Sequence, residues 1–226
     1  MTEKRHFHEE LNKLKDQLLV MGSLVETNIR KSIRALEERN LELAEEVFVE
    51  DKRIDVMEVE IEEACVKLMA LDQPVAVDLR MILGVLKINN DLERMGDHAV
   101  NIAERAIRLA ETPMLKRLVD IPHMATIVQA MLRDVLEGFV GRDPDKARSV
   151  CERDDIVDEL DDRLIRVLLT YMMEDPRVIK QAIDFIMISK NLERVGDLAT
   201  NIAEDVVFIY QAKTIKHHLD EKASHA

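Results

Sequence analysis

In the first forty residues, apolar side chains recur in three- and four-residue steps at Phe7, Leu11, Leu14, Leu18, Met21, Val25, Ile29, Ile33 and Leu36. That is the period of one helix face, and it predicts a helix over about 7–38. Asn40 suits an N-cap, because its short side chain can accept from the open N–H groups of a helix start; a second helix then runs to about 71. Gln73-Pro74 opens a third helix to about 111, since proline is tolerated at a helix start and not inside one. The plan then recurs. A fourth helix covers about 122–139 and is ended by Gly138 and Gly141. Asp143-Pro144 reads as N-cap and first residue of a fifth helix to about 173, and Pro176 starts a sixth to about 212. No run alternates with period two, so no sheet is expected. Residues 213–226 lack a sustained apolar period and are expected to fray.

Residues 92–104 read LERMGDHAVNIAE and residues 192–204 read LERVGDLATNIAE, with ten of thirteen positions identical at an offset of 100. Asn40 and Asp143 correspond at an offset of 103. The chain is therefore an internal repeat, and the economical architecture is all-α: two tandem three-helix bundles, 1–112 and 113–212, related by a pseudo-twofold.

Both repeats carry Glu-x-x-Gly-Asp, as Glu93, Gly96 and Asp97 and as Glu193, Gly196 and Asp197. On a helix the four-residue spacing stacks two carboxylates on one face, with Asn101 and Asn201 a turn further along. Such pairs repel by roughly 0.2–0.5 kcal/mol, and a mid-helix glycine costs about 1 kcal/mol more. A cation between the carboxylates removes the first cost, and close approach of a ligand or neighbouring backbone explains the second. The middle helix of each half supplies a matching pair, Asp51 and Asp55 against Asp154 and Asp158, and Glu58 and Glu62 extend the first stripe. Glu193, Asp197 and Asn201 lie away from the apolar seam of Leu192, Val195, Ala199, Ile202 and Val206, which places the motif near the surface. All-oxygen donors suit Mg, Mn, Ca or iron better than structural zinc. A chain that is 34% charged also produces acidic i,i+4 pairs by accident, and those are solvated faces.

With 32 Lys and Arg against 45 Asp and Glu, the net charge of −13 and the absence of a basic stripe argue against a nucleic-acid partner. Aromatics are 3%, so Leu, Ile, Val, Ala and the 12 methionines must build the core, Met172 and Met173 at a helix end among them. Cys65 and Cys151 form no CxxC pair, and neither a disulfide framework nor a thiolate zinc site is indicated. The opening MTEKRHFHEELNK lacks the apolar core of a signal peptide, and no stretch approaches the roughly 18 apolar residues of a membrane span. A cytoplasmic protein is expected. No phosphate loop, nucleophile elbow or ferritin-like Glu-x-x-His pair supports enzymatic chemistry. His98 faces Leu198 in the other repeat and reads as packing. Arg80, Arg94 and Arg194 are able to meet an anion, with ion pairing to one of the many acids as the simpler role.

The segments QPVAVDLR at 73–80, NDLERMGDHAVNIAE, TYMMEDPR at 170–177 and NLERVGDLATNIAE together resemble the PhoU family over about 7–212. The resemblance implies a cytoplasmic, usually dimeric regulator that represses the phosphate-starvation regulon and couples the phosphate-specific ABC transporter to a membrane sensor histidine kinase. It also implies multinuclear iron or zinc clusters held by the acidic motifs, with Asp51, Asp55, Glu93, Asp97, Asp154, Asp158, Glu193 and Asp197 as the ligand positions here. Two other classes compete: a carboxylate-bridged metal enzyme, which needs an open metal position beside a pocket and a general base, and a metal-free helical scaffold whose acids only solubilise.

Overall fold

A computed structural model of the chain describes residues 2–72, 74–113 and 120–215. Among the described residues seven α-helices follow in order: α1 (Thr2–Glu38), α2 (Leu41–Asp72), α3 (Val77–Ala110), α4 (Asp120–Gly141), α5 (Pro144–Cys151), α6 (Asp154–Glu174) and α7 (Ile179–Gln211). Among the described residues there is no strand. The expected single fifth helix is broken: residues 152–153 form a tight turn in which Arg153 N–H donates to the Val150 carbonyl at 3.1 Å. Glu152 and Arg153 keep right-handed helical angles, so the chain kinks there without a cap of the usual kind. Pro176–Val178 is one 3₁₀ turn, and the last helix begins after it at Ile179; the third likewise begins at Val77, past Pro74. Gly138 does not end α4. It lies within the helix, where a Cβ would come within 3.1 Å of the Asp143 carbonyl and 3.2 Å of Ala147 N, so its missing side chain admits the start of α5. The frayed tail expected from 213 is non-helical at 213–215, and 216–226 lie outside the described residues, as does most of the junction between the repeats at 114–119.

Both repeats turn from their first to their second helix in the same way. Arg39 and Arg142 adopt positive φ, 55° and 54°. The next residue's N–H reaches back five residues, Asn40 to Ala35 at 3.1 Å and Asp143 to Gly138 at 2.9 Å. That left-handed close satisfies the last carbonyls of the preceding helix. The same Asn or Asp then caps the following one. Asn40 Oδ1 accepts from the N–H groups of Glu42 and Leu43 at 2.9 and 3.2 Å, and Asp143 Oδ1 accepts from Lys146 N–H at 3.0 Å.

Four helices form the centre. α3 and α7 run antiparallel against each other, α1 packs on α3 and α4, and α4 packs on α7; α2 flanks α1 and α3, while α5 and α6 flank α7. One continuous apolar cluster runs through both repeats. The α3–α7 pairing of His98 with Asn191 and of Arg105 with Asp184 fixes the crossing near Met95 and Val195, both fully buried. The pseudo-twofold passes there. Met173, expected to fill the core, is instead 86% exposed at the end of α6.

Among the ion pairs that tie each half, one falls at matching positions with its sign reversed. Lys31 on α1 holds Glu50 on α2 at 2.7 Å, whereas Asp134 on α4 holds Arg153 before α6 at 2.6 Å.

Arg39 carries more than its turn. One guanidinium nitrogen donates to the carbonyls of Leu109 at 2.9 Å, Ala110 at 2.7 Å and Thr112, so the side chain caps the C-terminus of α3. Bonds from a charged donor contribute about 1.5–3 kcal/mol, and Arg39→Ala is expected to lower the unfolding free energy by about that much in urea titration. Arg39→Gly, which suits the positive φ, should recover about 1 kcal/mol of the loss; a glycine variant no more stable than the alanine variant would contradict this account.

Candidate metal-binding sites

Each pair of acidic helices meets within its own half. Asp51 and Asp55 on α2 face Glu93 and Asp97 on α3, and Asp154 and Asp158 on α6 face Glu193 and Asp197 on α7. The mid-helix glycines explain how the helices come so near. A Cβ on Gly96 would sit 3.0 Å from Asp51 Oδ1, and one on Gly196 would sit 3.1 Å from Asp154 Oδ1. Each glycine leaves a seat for the opposing carboxylate against the helix backbone. The seat is a poor place for charge. Burial, with Asp55 and Asp97 as neighbours, pushes the Asp51 carboxyl up to about 6. Burial, with Asp197 and Asp158 beside it, pushes Asp154 up to about 7. Burial also raises Glu93, with Asp97 and Glu58 adding repulsion. Asp55, Asp97, Asp158 and Asp197 are exposed, which keeps both groups at the surface as the seam pattern predicts.

Asp154 Oδ1 is buried and has no hydrogen-bond donor among the described residues. An all-oxygen donor set with such an orphaned oxygen suits a hard cation. As the side chains stand, no three His, Cys, Asp or Glu groups among the described residues close on a common point tightly enough to hold an ion. Helix packing gathers the carboxylates, and their like charge opposes closer approach.

The two sites differ, and sequence reasoning missed why. Lys190 on α7 reaches Asp161 at 2.7 Å and Glu193 at 3.5 Å, and Ser189 Oγ donates to Asp161 at 2.6 Å. Asp161 is almost wholly buried. Lys190 opposes the burial-driven rise of Glu193 and of Asp158. In the first half the matching positions are Asn90 and Glu58, so no cation enters. Comparing the residue three before each motif Glu would have revealed this. Glu58 joins the first site, whereas Glu62 instead bears on Cys65, whose thiol burial pushes up to about 12. Burial likewise pushes Cys151 up to about 11, and both thiols are free.

The family model described as the PhoU domain matches residues 18–106 and again 121–206. The chain belongs to the PhoU family. The two matched segments fall on the two repeats, and the all-helical, duplicated PhoU fold expected from the pattern is the one observed. The chain is 47% identical over 215 residues to the phosphate-specific transport system accessory protein PhoU homologue of Aquifex aeolicus, covering 95% of this chain and 97% of that one. It is 40% identical over 214 residues to the homologue of the same description from Pseudomonas aeruginosa, covering 94% and 88%. Among solved structures, the crystal structure of PhoU from Pseudomonas aeruginosa superposes with a TM-score of 0.89 at 40% identity, covering 92% of this chain and 100% of that one. The phosphate transport system regulatory protein PhoU of Streptococcus pneumoniae gives 0.86 at 30%, covering 93% and 99%.

Asp154 sets a pH dependence whose sign is fixed. Its folded pKa lies above the unfolded value, so between 3.8 and about 7 the native state holds a proton that the unfolded chain has released. Its contribution is therefore favourable at low pH and is lost as pH rises through that window. In chelator, Asp154→Asn is expected to melt higher than the native chain at pH 8, with the gap shrinking toward pH 5. A gap of the opposite sign at pH 8, read by thermal melting, would show the carboxylate to be stabilised.

Proposed function

We propose that this PhoU protein is a non-enzymatic, cytoplasmic regulator of phosphate uptake. It attends the phosphate ABC transporter and relays transporter state to a sensor histidine kinase, holding the phosphate-starvation genes off when phosphate is plentiful. The observation that carries this reading is near-full-length similarity to proteins named as phosphate-specific transport system accessory proteins. No helix among the described residues is long and apolar enough to cross a membrane. Contact with membrane components runs through these partners, as the family resemblance implies. A homodimer is the working assembly, as the family resemblance implies.

The duplicated carboxylate sites fit hard cations, iron or zinc by resemblance and Mg, Mn or Ca by donor chemistry. Asp51, Asp55, Glu93 and Asp97 would hold one group, and Asp154, Asp158, Glu193 and Asp197 the other. Bound cations would supply the charge neutralisation that these half-buried acids lack. The chain's own part is to seat Asp51 and Asp154 against Gly96 and Gly196, and to keep Asp55, Asp97, Asp158 and Asp197 open to solvent. The metal-enzyme alternative needs a general base beside an open position, and His98, committed to Asn191, does not serve as one.

Deletion of the chain is expected to release phosphatase-reporter expression at high phosphate, and the native chain to restore repression. A variant carrying Glu93→Gln, Asp97→Asn, Glu193→Gln and Asp197→Asn should purify with less metal by elemental analysis. Unchanged reporter output on deletion would sink the regulatory reading; native protein without retained metal would favour the scaffold.

A further inference from the structure

The middle helix of a three-helix bundle buries one face and shows the other to solvent. On α2 the buried face recurs in seven-residue steps at Val47, Ile54, Ile61 and Leu68. The opposite face is expected to be polar, and it is not. Val49, Val56, Val59 and Val66 stand there, between 49% and 64% exposed, at spacings of seven, three and seven residues. Single exposed valines are ordinary on a protein surface. A stripe in this register is the a and d pattern by which one helix packs on another, and no other described element covers it.

The second repeat shows that the fold itself does not demand the stripe. At the offset of 103 the positions matching Val49, Val56 and Val59 are Glu152, Glu159 and Asp162, all exposed, and only Leu169 keeps the apolar character of Val66. The outward face is solvated by acids on α6 and is apolar on α2. Lys52 and Glu63 fill the remaining seam positions of α2, while Arg53, Glu60 and Lys67 follow its edge beside α1. All five are exposed, and Lys52, Arg53 and Glu63 make no ion pair with another described residue.

We propose that α2 packs antiparallel on α2 of a second copy of this chain along this stripe, about a two-fold axis between residues 57 and 58. The proposal rests on the homodimer inferred above and gives it an interface. One register satisfies the sequence. It sets Val49 on Val66, Val56 on Val59 and Lys52 on Glu63 of the second copy, and the two-fold repeats each pair. On the edge beside α1 it sets Arg53 near Glu60 and Lys67 near Glu46, which already holds Lys31 at 2.8 Å. On the other edge Asp55 comes near Glu62, and that like-charge pair, next to the first carboxylate site, opposes the contact. Sliding by one heptad destroys the match. In one direction Arg53 meets Arg53 and Glu46 meets Glu60; in the other Glu60 meets Glu60 and Arg53 meets Lys67. On α6 the matching register would set Glu159 on Asp162. Charge at the seam and along its α1 edge therefore selects both the partner and the register.

Analytical ultracentrifugation of the full-length protein as purified tests the seam. The native chain is expected to sediment as a dimer at micromolar concentration. Lys52→Glu and Glu63→Lys, which leave the carboxylate sites untouched, each place like charges on the seam and are expected to weaken dimerisation at least about tenfold. Mixed in equal amounts, the two variants should pair with each other, because each supplies the charge that the other lacks. Arg166→Glu, at the position on α6 that matches Glu63, should dimerise as the native chain does. A native chain that stays monomeric up to about 100 μM overturns the homodimer and the seam with it, and leaves the stripe to a different partner helix. A native dimer that both seam variants leave intact, or that Arg166→Glu weakens equally, overturns the seam alone and puts the interface on another face. Two monomeric variants that fail to pair when mixed, each shown by circular dichroism to be folded, overturn the register. None of these results bears on the regulatory reading, which the reporter decides.

Discussion

The antiparallel packing of α3 on α7 is the constraint on which the rest of the structure depends. These helices carry the two copies of the motif, and their crossing at Met95 and Val195 joins two three-helix units into one core. A helix in this position is asked to satisfy three directions at once. One face of α3 fills the interior with Leu92, Met95, Ala99 and Ile102, one edge meets α7 through His98 and Arg105, and the other edge turns Glu93 and Asp97 toward α2. Near-identity over 92–104 and 192–204 follows, because a change on any face disturbs a neighbour on the pseudosymmetric partner as well.

Against that frame the acidic sites are places where stability is given up locally. A carboxylate seated against a glycine backbone loses water and gains only like-charged neighbours, and the upward displacement of Asp51 and Asp154 expresses that cost. A helix that needed only to pack would carry alanine at Gly96 and Gly196. The opposing oxygens at 3.0 and 3.1 Å are the local reason that it does not.

Much of this was readable beforehand, for particular reasons. Apolar spacing reports burial directly, so Leu14, Leu18, Met21, Val25 and Ile29, all essentially inaccessible, mark α1 without ambiguity. The repeat offsets paired Asp51 with Asp154 and Glu93 with Glu193, and left only the choice of partner helix to the fold. The break at 152–153 was not readable, because neither glycine nor proline marks it and both turn residues stay in the helical region. It arises where α5 is drawn close to Gly138 and Arg153 is held by Asp134, contacts between segments distant in the sequence pattern. The intrusion of Lys190 was hidden by the motif's own regularity, since attention to identical positions passes over Asn90.

The reversed ion pair bears on assembly. Were α2 to settle in the seat of α6, Glu50 would confront Asp134 and Lys31 would confront Arg153, two like-charge encounters at partly buried positions. Duplication creates two nearly interchangeable sockets, and a folding chain has the opportunity to fill the wrong one. Exchanging which side contributes the base and which the acid gives each socket its own key, so the halves recognise their own helices while sharing a single blueprint.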